Sequence, residues 1–188
     1  MNAISSLIPA GSRVLDLGCG SGALLHELVS RKGCSGYGIE LDDQNLLAAA
    51  ERGVNVLQLD LEQGLAMFKD QSFDVVLQLQ TLQQVRHAEG MLRETVRVGR
   101  RGIVSFPNFA HWPNRLQVLL GRMPVTRTLP YQWYDTPNIR VGTHADFALL
   151  CERLGIRVLE SFGLRGEQRV DSLPNLLAPV AVFVIEKA

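Results

Sequence analysis

Near its start the chain reads Val14-Leu15-Asp16-Leu17-Gly18-Cys19-Gly20-Ser21-Gly22, an apolar run that leads into three closely spaced glycines. The run from Arg13 to Leu17 predicts a buried strand, and the leucines of Ala23 to Ser30 share one face of a helix. Glycine at a strand-to-helix turn lets the backbone approach a ligand closely at the helix N-terminus. The stretch therefore predicts a strand, a ligand-binding loop and a helix, in that order.

Short apolar runs alternate with helical patterns along most of the chain. Further strands are predicted at 37–40, 55–59, 73–79, 102–106, 156–162 and near 180–185, with helices at 42–52, about 88–98 and 144–154. Asp42 or Asp43 is the expected N-cap of the second helix. The almost entirely apolar run at 73–79 is typical of a strand covered on both faces. This alternation predicts a Rossmann-like, doubly wound α/β fold with a mostly parallel sheet.

Residues 107–140 form an insertion after the fifth strand. From Pro107 to Pro137 there are five prolines and both tryptophans, and one short helix is predicted at about Arg115 to Leu120. Such a long segment is uncommon as a plain connection, so we expect a lid or a contact surface. The length of 188 residues fits one domain, so residues 1–188 are predicted to form a single domain with this insertion.

Composition narrows the classes of partner. Lysine plus arginine and aspartate plus glutamate each number 19, a balance that argues against nucleic acid as the main ligand. No apolar run approaches the roughly 18 residues of a membrane span, and residues 1–13 lack a secretory pattern. Three scattered cysteines (Cys19, Cys34 and Cys151) argue against a disulfide scaffold or a structural zinc site. We therefore expect a cytoplasmic protein with no membrane partner.

The glycines alone do not identify a cofactor. Through Gly18, Gly20 and Ala23 they also fit a dinucleotide fingerprint, with Glu40 twenty residues beyond Gly20. A dinucleotide, however, would place an anionic pyrophosphate beside the carboxylate of Asp16, which repels it. S-adenosylmethionine (SAM) has no phosphate and carries a sulfonium and an ammonium group, and both are favoured by a nearby anion.

Three acidic residues follow three successive strands: Asp16, Glu40 and Asp60. Glu40 can accept hydrogen bonds from both ribose hydroxyls, and Asp60 suits the exocyclic amine of adenine. The sequence therefore favours SAM at the C-terminal ends of the first, second and fourth strands. A nicotinamide dinucleotide and a purely structural glycine turn stay open as alternatives.

The glycine loop resembles motif I of the class I SAM-dependent methyltransferases, with Glu40 and Asp60 at the acidic positions after the second and third strands. Phe73-Asp74-Val75-Val76 is similar to their fourth-strand motif, and this resemblance implies that Gln78 and Leu79 line the methionine end of the cofactor. The residues predicted to bind SAM or its product S-adenosylhomocysteine (SAH) are Asp16, Gly18, Cys19, Gly20, Gly22, Glu40, Leu41, Asp60, Leu61, Gln78 and Leu79. No catalytic residue and no metal ligand is predicted.

Three further stretches resemble the methionine biosynthesis protein MetW family. They are Phe106-Pro107-Asn108-Phe109-Ala110-His111-Trp112, Gly121-Arg122-Met123-Pro124-Val125-Thr126 and Leu129-Pro130-Tyr131-Gln132-Trp133-Tyr134-Asp135-Thr136-Pro137-Asn138-Ile139. The resemblance covers nearly the whole chain and implies a role in bacterial methionine synthesis alongside the homoserine O-acyltransferase MetX. The preferred interpretation is a SAM-binding accessory or regulatory protein of that pathway.

The residues after the fourth strand supply no evident base. Thr81-Leu82-Gln83-Gln84-Val85 has two glutamines where many small-molecule methyltransferases carry an acidic residue and a histidine. His87 is interpreted as a surface residue. An active SAM-dependent small-molecule methyltransferase, with its acceptor pocket built by Phe106 to Trp112, is therefore the alternative function. A nicotinamide-dependent oxidoreductase is the remote one.

Two features carry two interpretations each. Cys19 lies at a helix N-terminus, which lowers the pKa of a thiol, but a small residue that fills a tight turn is favoured. The aromatic residues Trp112, Tyr131, Trp133 and Tyr134 are either the core of the insertion or a surface for a protein or a substrate. The sequence predicts no oligomeric state.

Overall fold

A computed structural model describes residues 3–188, so the first two residues of the 1–13 segment considered above lie outside the described residues. The strands are β1 (Arg13–Leu17), β2 (Ser35–Glu40), β3 (Val56–Gln58), β4 (Phe73–Leu79), β5 (Gly99–Pro107), β6 (Ile156–Arg165), β7 (Gln168–Val170) and β8 (Val180–Lys187). They form an eight-stranded sheet in the order β3-β2-β1-β4-β5-β8-β6-β7. Strands β1 to β5 are parallel, and β8, β6 and β7 continue the sheet with antiparallel pairs. The predicted α/β fold with a mostly parallel sheet is confirmed.

Seven α-helices of the described chain accompany the strands. They are α1 (Ala3–Ser6), α2 (Ala23–Lys32), α3 (Asp43–Glu51), α4 (Ala88–Val98), α5 (Trp112–Leu119), α6 (His144–Arg153) and α7 (Pro174–Leu177), with 3-10 turns at Leu61–Gln63 and Leu82–Gln84. Asp42 is confirmed as the N-cap of α3, since its carboxylate accepts from the amide of Asn45 at 2.9 Å. Within residues 3–188 there is no helix with the length and apolarity needed to cross a membrane.

The core lies on both faces of the sheet because neighbouring residues of a strand point in opposite directions. In β4, Val75 and Leu77 pack with the side that carries α1, α2 and α3, while Val76 packs toward α4. In β8, Val182 faces the first side and Phe183 faces α4 and α6. This burial on two sides explains why the strand sequences are nearly continuous apolar runs.

The elements differ from the predicted ones mainly at their ends. Helix α4 has the predicted bounds, whereas β5 begins at Gly99 and β6 continues to Arg165. Helix α5 begins earlier than predicted, at Trp112, because Pro113 occupies its first turn, where proline is favoured. Strand β7 was missed, since three edge residues of mixed polarity give no measurable alternation.

Asn108 fastens both ends of the insertion to the sheet. Its buried side-chain nitrogen donates to the carbonyls of Ala178 at 2.8 Å and Asn175 at 3.0 Å. Its side-chain oxygen accepts from the amides of Ala110 at 3.2 Å and His144 at 3.3 Å. One buried amide therefore holds the beginning of the insertion, the start of α6 and the turn before β8 in one place.

Candidate functional site

A cavity of about 1120 Å³ lies at the C-terminal ends of β1, β2, β3 and β4. The predicted residues that line it are Gly18, Gly20, Glu40, Leu41, Asp60, Leu61 and Leu79. This is the crevice in which a doubly wound sheet binds its ligands, because the carboxyl ends of parallel strands meet there. We therefore take this cavity as the candidate cofactor site.

The glycine loop after β1 has a backbone that other residues adopt only with strain. Gly18 and Gly20 have φ angles of 73° and 54°, in the left-handed region. A Cβ atom on Gly18 would also lie 2.7 Å from Oγ1 of Thr81, which donates to the carbonyl of Leu17 at 2.9 Å. Glycine is thus required at position 18 for space as well as conformation, and Thr81 joins the loop to the end of β4.

Glu40 holds the glycine loop from the end of β2. Its Oε2 accepts from the amide of Gly20 at 2.8 Å, and its Oε1 accepts from the amides of Leu41 at 2.8 Å and Asp42 at 3.0 Å. Three of about four acceptor positions on the carboxylate are therefore occupied by the backbone. One position, on Oε2, is open to a ribose hydroxyl, so the expected bidentate grip on both hydroxyls requires the release of a backbone amide.

Asp16 lies at the end of β1 beneath the loop and does not itself line the cavity. Burial, with the nearby charge of Glu40 adding to it, raises the pKa of the Asp16 carboxyl from 3.8 to about 7. Burial therefore favours the protonated form of Asp16 far more than in an exposed aspartate. A cation bound above the loop favours the ionised carboxylate, which makes the charge of this residue depend on the ligand.

The expected low pKa of Cys19 is wrong. Burial, together with the charges of Asp16 and Glu40, raises the pKa of the thiol to about 12, although its own backbone amide acts in the opposite direction. The thiol packs beside β2, where a Cβ on Gly38 would lie 2.4 Å from Sγ. Cys19 is therefore a small residue that fills the turn, and its side chain does not line the cavity.

The acidic residue after β3 is partly used by the backbone. Asp60 caps the 3-10 turn Leu61–Gln63, and its Oδ1 accepts from the amide of Glu62 at 2.9 Å. Leu61 and the exposed Leu41 line the cavity on either side of Asp60 and Glu40. This edge of the cavity thus offers two apolar side chains beside two carboxylates.

The structure does not bring the side chain of Gln78 to the cavity. Gln78 is buried, and its amide nitrogen donates to Oγ1 of Thr95 on α4 at 2.8 Å. Because side chains alternate along a strand, Leu79 instead faces the cavity. Gly22 also lies outside it, since a Cβ there would meet Ala49 and Val54 at 3.0 and 3.1 Å, which identifies it as a packing position between α2 and α3.

The segment after β4 contributes more of the cavity than the sequence indicated. Gln80 lines it in a left-handed conformation, with φ of 59°, and its carbonyl accepts from the side-chain nitrogen of Gln83 at 2.7 Å. Gln84 and His87 line the same side, whereas the side chain of Gln83 does not. The positive φ at Gln80 leaves no signal in the sequence, because glutamine rarely adopts it.

The insertion closes one side of the cavity through Tyr131 and Pro137. The expected acceptor wall from Phe106 to Trp112 is not part of it: Phe106 packs with Phe147 of α6, and Trp112 is half exposed. The only sequence signal for this wall of the cavity was the aromatic composition of the insertion. Composition does not tell which aromatic residues reach the cavity, because that depends on how the insertion folds back.

The charges around the cavity fit a cationic nucleoside. Four carboxylates line it, those of Glu40, Asp42, Asp60 and Glu62, against two basic residues, Arg86 and His87. No arginine or lysine lies within the glycine loop itself. The guanidinium of Arg52 donates to the carbonyl of Ser21 in the loop at 2.7 Å but does not line the cavity. The excess of carboxylates therefore fits the cationic SAM better than an anionic pyrophosphate. Among residues 3–188 no group of three or more His, Cys, Asp or Glu side chains could hold a metal ion.

Several known proteins are similar to this chain in sequence. A 40% identical relative is the bifunctional methionine biosynthesis protein MetXA/MetW of Rhodopirellula baltica, in a match that covers 98% of this chain but 32% of that protein. A ubiquinone biosynthesis O-methyltransferase of Neisseria meningitidis is 26% identical, over 82% of this chain and 67% of its own length. This chain thus spans about a third of the first relative and two thirds of the second.

A solved structure with the same fold is a SAM-dependent methyltransferase from Thermotoga maritima, described as a possible histamine N-methyltransferase. It superposes with a TM-score of 0.70 at 21% identity, over 99% of this chain and 86% of that one. The sequence model of one family, described as methionine biosynthesis protein MetW, matches residues 1–185. With the class I methyltransferase fold and a full-length family match, this chain belongs to the methionine biosynthesis protein MetW family.

Proposed function

We propose that this chain binds SAM or SAH in the cavity beyond β1, β2 and β4 and acts with, or regulates, a homoserine O-acyltransferase (MetX). The proposal rests on the bifunctional relative named MetXA/MetW. This chain matches 32% of that protein, so most of the relative lies outside the match, and its name assigns it both functions. Joining two modules in one polypeptide holds them at a high effective concentration, which is useful when they act together. The proposal places the protein in the cytoplasm, where its three free cysteines stay reduced.

The chain's own residues divide the work of holding the nucleoside. SAM, when bound, supplies a methyl group activated by a sulfonium. The glycine loop offers a backbone that a ligand can approach closely, and the open acceptor position on Oε2 of Glu40 suits a ribose hydroxyl. Asp60, between Leu41 and Leu61, suits a base with an exocyclic amine. Asp16 supplies negative charge beneath the loop when it is ionised.

A physical connection from the cavity to the insertion supports a regulatory role. The 3-10 turn Leu82–Gln84 follows Thr81 at the cavity, and the backbone carbonyl of Gln83 accepts from the amides of Ile139 and Arg140, both at 3.1 Å. The guanidinium of Arg140 also donates to the carbonyl of Val85 at 3.3 Å. A ligand that shifts this turn therefore acts directly on the returning end of the insertion.

Regulation requires that SAM change the affinity for the partner, because a ligand without differential binding shifts no equilibrium. We expect calorimetry to detect binding of SAM and SAH, and none of NADH. Affinity for purified homoserine O-acyltransferase, and the acylation rate, are then measured with and without SAM. Equal affinities with and without SAM would remove the regulatory role, and no binding in either condition would refute the association itself.

An active small-molecule methyltransferase is the second candidate. The cavity of about 1120 Å³ exceeds the roughly 300–1,000 Å³ of ordinary ligand pockets, so it has room beyond one nucleoside. Gln84, His87 and Tyr131 line its other side. Transfer of labelled methyl groups from SAM to an added acceptor, lost in a Glu40→Ala variant, would favour this candidate. If extracts of the source organism give no labelled product, that result would argue against an active methyltransferase.

A further inference from the structure

Helix α5 carries an apolar stripe that faces solvent. Trp112, Leu116, Leu119 and Leu120 have the i, i+4, i+7, i+8 spacing that places side chains on one face of a helix. All four are between 48% and 82% exposed. Asn114 is the only buried residue of α5, all of whose residues are described. A helix normally buries such a stripe against its own domain, and this one does not.

Exposed apolar and aromatic side chains also follow α5 within the insertion. Met123 and Trp133 line one shallow cavity, and Trp133 contacts Tyr134 edge to face at 5.6 Å between ring centroids. Both rings are largely exposed. We name the stripe together with Met123, Trp133 and Tyr134 the docking face. Its three aromatic members, at 150–250 Å² per ring when fully covered, offer on the order of 400 Å².

The aliphatic side chains of the docking face bring its apolar area to about 600–700 Å², which is close to the ~800 Å² that each partner contributes to a standard interface. Monomeric proteins rarely expose apolar patches of this size unless the patch has a function. The summed area is therefore enough for a specific interface and lies at the upper end of what monomeric proteins expose.

The charged residues of the segment that carries the docking face indicate the chemistry of the partner. Residues 107–134 contain three arginines, Arg115, Arg122 and Arg127, and the first acidic residue that follows is Asp135, although the whole chain has no net charge. Among the described residues, none of these three guanidinium groups forms an ion pair. A complementary surface is therefore apolar at its centre and bordered by carboxylates.

We propose that the docking face is the surface through which this chain binds its homoserine O-acyltransferase, with α5 seated in an apolar groove bordered by acidic residues. The proposal rests on the proposed function, which supplies the partner. Seating an amphipathic helix in a groove is an established mode of recognition, with anchors at the spacing that this stripe has. None of the residues of the docking face lines the cofactor cavity, although Tyr131 lines both that cavity and the shallow one formed by Met123 and Trp133.

The test uses Leu119→Glu in the full chain, measured by calorimetry against the purified homoserine O-acyltransferase of the same organism. Leu47→Glu on α3 is the matched control, because Leu47 is also a helical leucine and is 60% exposed. Leu119→Glu should weaken binding about 30-fold or more, and Leu47→Glu by less than about twofold. Leu119→Lys should lose less affinity for the acyltransferase than Leu119→Glu, because a cation is attracted to the acidic border of the partner's groove. Unchanged SAM binding and melting temperature confirm that the variants fold.

Three outcomes would overturn the proposal, and they can be told apart. If the wild-type chain does not bind the acyltransferase, the proposed function fails and the docking face fails with it. If the wild type binds and all three variants bind equally well, the proposed function stands and the acyltransferase docks elsewhere. If the wild type is a dimer that Leu119→Glu converts to monomers without loss of acyltransferase binding, the docking face is a contact between two copies of this chain.

Discussion

Asp16→Asn should flatten the dependence of stability on pH. In the folded protein the Asp16 carboxyl titrates at about 7, and its ordinary value is 3.8. Between these values the folded state holds a proton that the unfolded chain has lost, so raising the pH destabilises the fold. The stabilising contribution is complete below pH 3.8 and is lost as the pH rises through about 7. Asparagine keeps the shape of the side chain and removes the titration.

The magnitude follows from the same values. The rise from 3.8 to about 7 corresponds to about 4 kcal/mol, at about 1.4 kcal/mol for each pH unit. Between pH 5 and pH 8, the wild type should lose about 3 kcal/mol of unfolding free energy through this group. His111 and His144 act in the opposite direction, since burial lowers the pKa of each imidazole. They are present in both proteins and cancel in the difference.

Urea unfolding of both proteins at pH 5, 6, 7 and 8 measures the effect. We expect the difference in unfolding free energy, Asp16→Asn minus wild type, to rise by about 3 kcal/mol from pH 5 to pH 8. Curves that stay parallel within about 0.5 kcal/mol would refute the claim that burial holds a proton on Asp16 near neutral pH.

The same proton affects ligand binding. Because a sulfonium favours the ionised carboxylate, wild-type affinity for SAM should rise about tenfold from pH 6 to pH 8 relative to Asp16→Asn. Protonation of the ligand affects both proteins equally. The ratio of wild-type affinity to Asp16→Asn affinity therefore isolates the effect of Asp16. SAH lacks the sulfonium charge and should give a smaller ratio. An equal ratio for SAM and SAH would place the sulfonium out of reach of Asp16.

Three further predictions concern single side chains. Asn108→Ala should lower the unfolding free energy by about 3 kcal/mol, since it strands buried backbone groups, and an unchanged urea midpoint would contradict the anchoring role. Gly20→Ala should cost about 1 kcal/mol for its positive φ, whereas Gly18→Ala should cost clearly more because its Cβ meets Thr81, and equal losses would oppose that contact. Cys19 should be alkylated clearly more slowly at pH 8 than a thiol of ordinary pKa, because less of it is present as the reactive thiolate, and labelling as fast as that of an exposed cysteine, followed by mass spectrometry, would contradict its high pKa.

Many residues of the candidate site could be predicted from local sequence patterns. The glycines at 18 and 20 were predictable because their spacing between a strand and a helix has few other uses. Glu40 and Asp60 were predictable because the ends of parallel strands meet at one edge of the sheet. The resemblance gave the position of Gln78 along β4 but not the face of the strand on which its buried side chain lies, which is the face toward α4.

The sequence by itself determined the α/β alternation, the glycine loop and the family, because these depend on residue types at short, regular spacings. Tertiary structure alone decided the ionisation of Asp16 and Cys19, since a pKa depends on how much water and which charges the fold leaves around a group. It also decided that Tyr131 reaches the cavity while the stripe of α5 stays in solvent. Both outcomes depend on how residues far apart in sequence pack, and hydrophobic periodicity does not encode which surface a side chain meets.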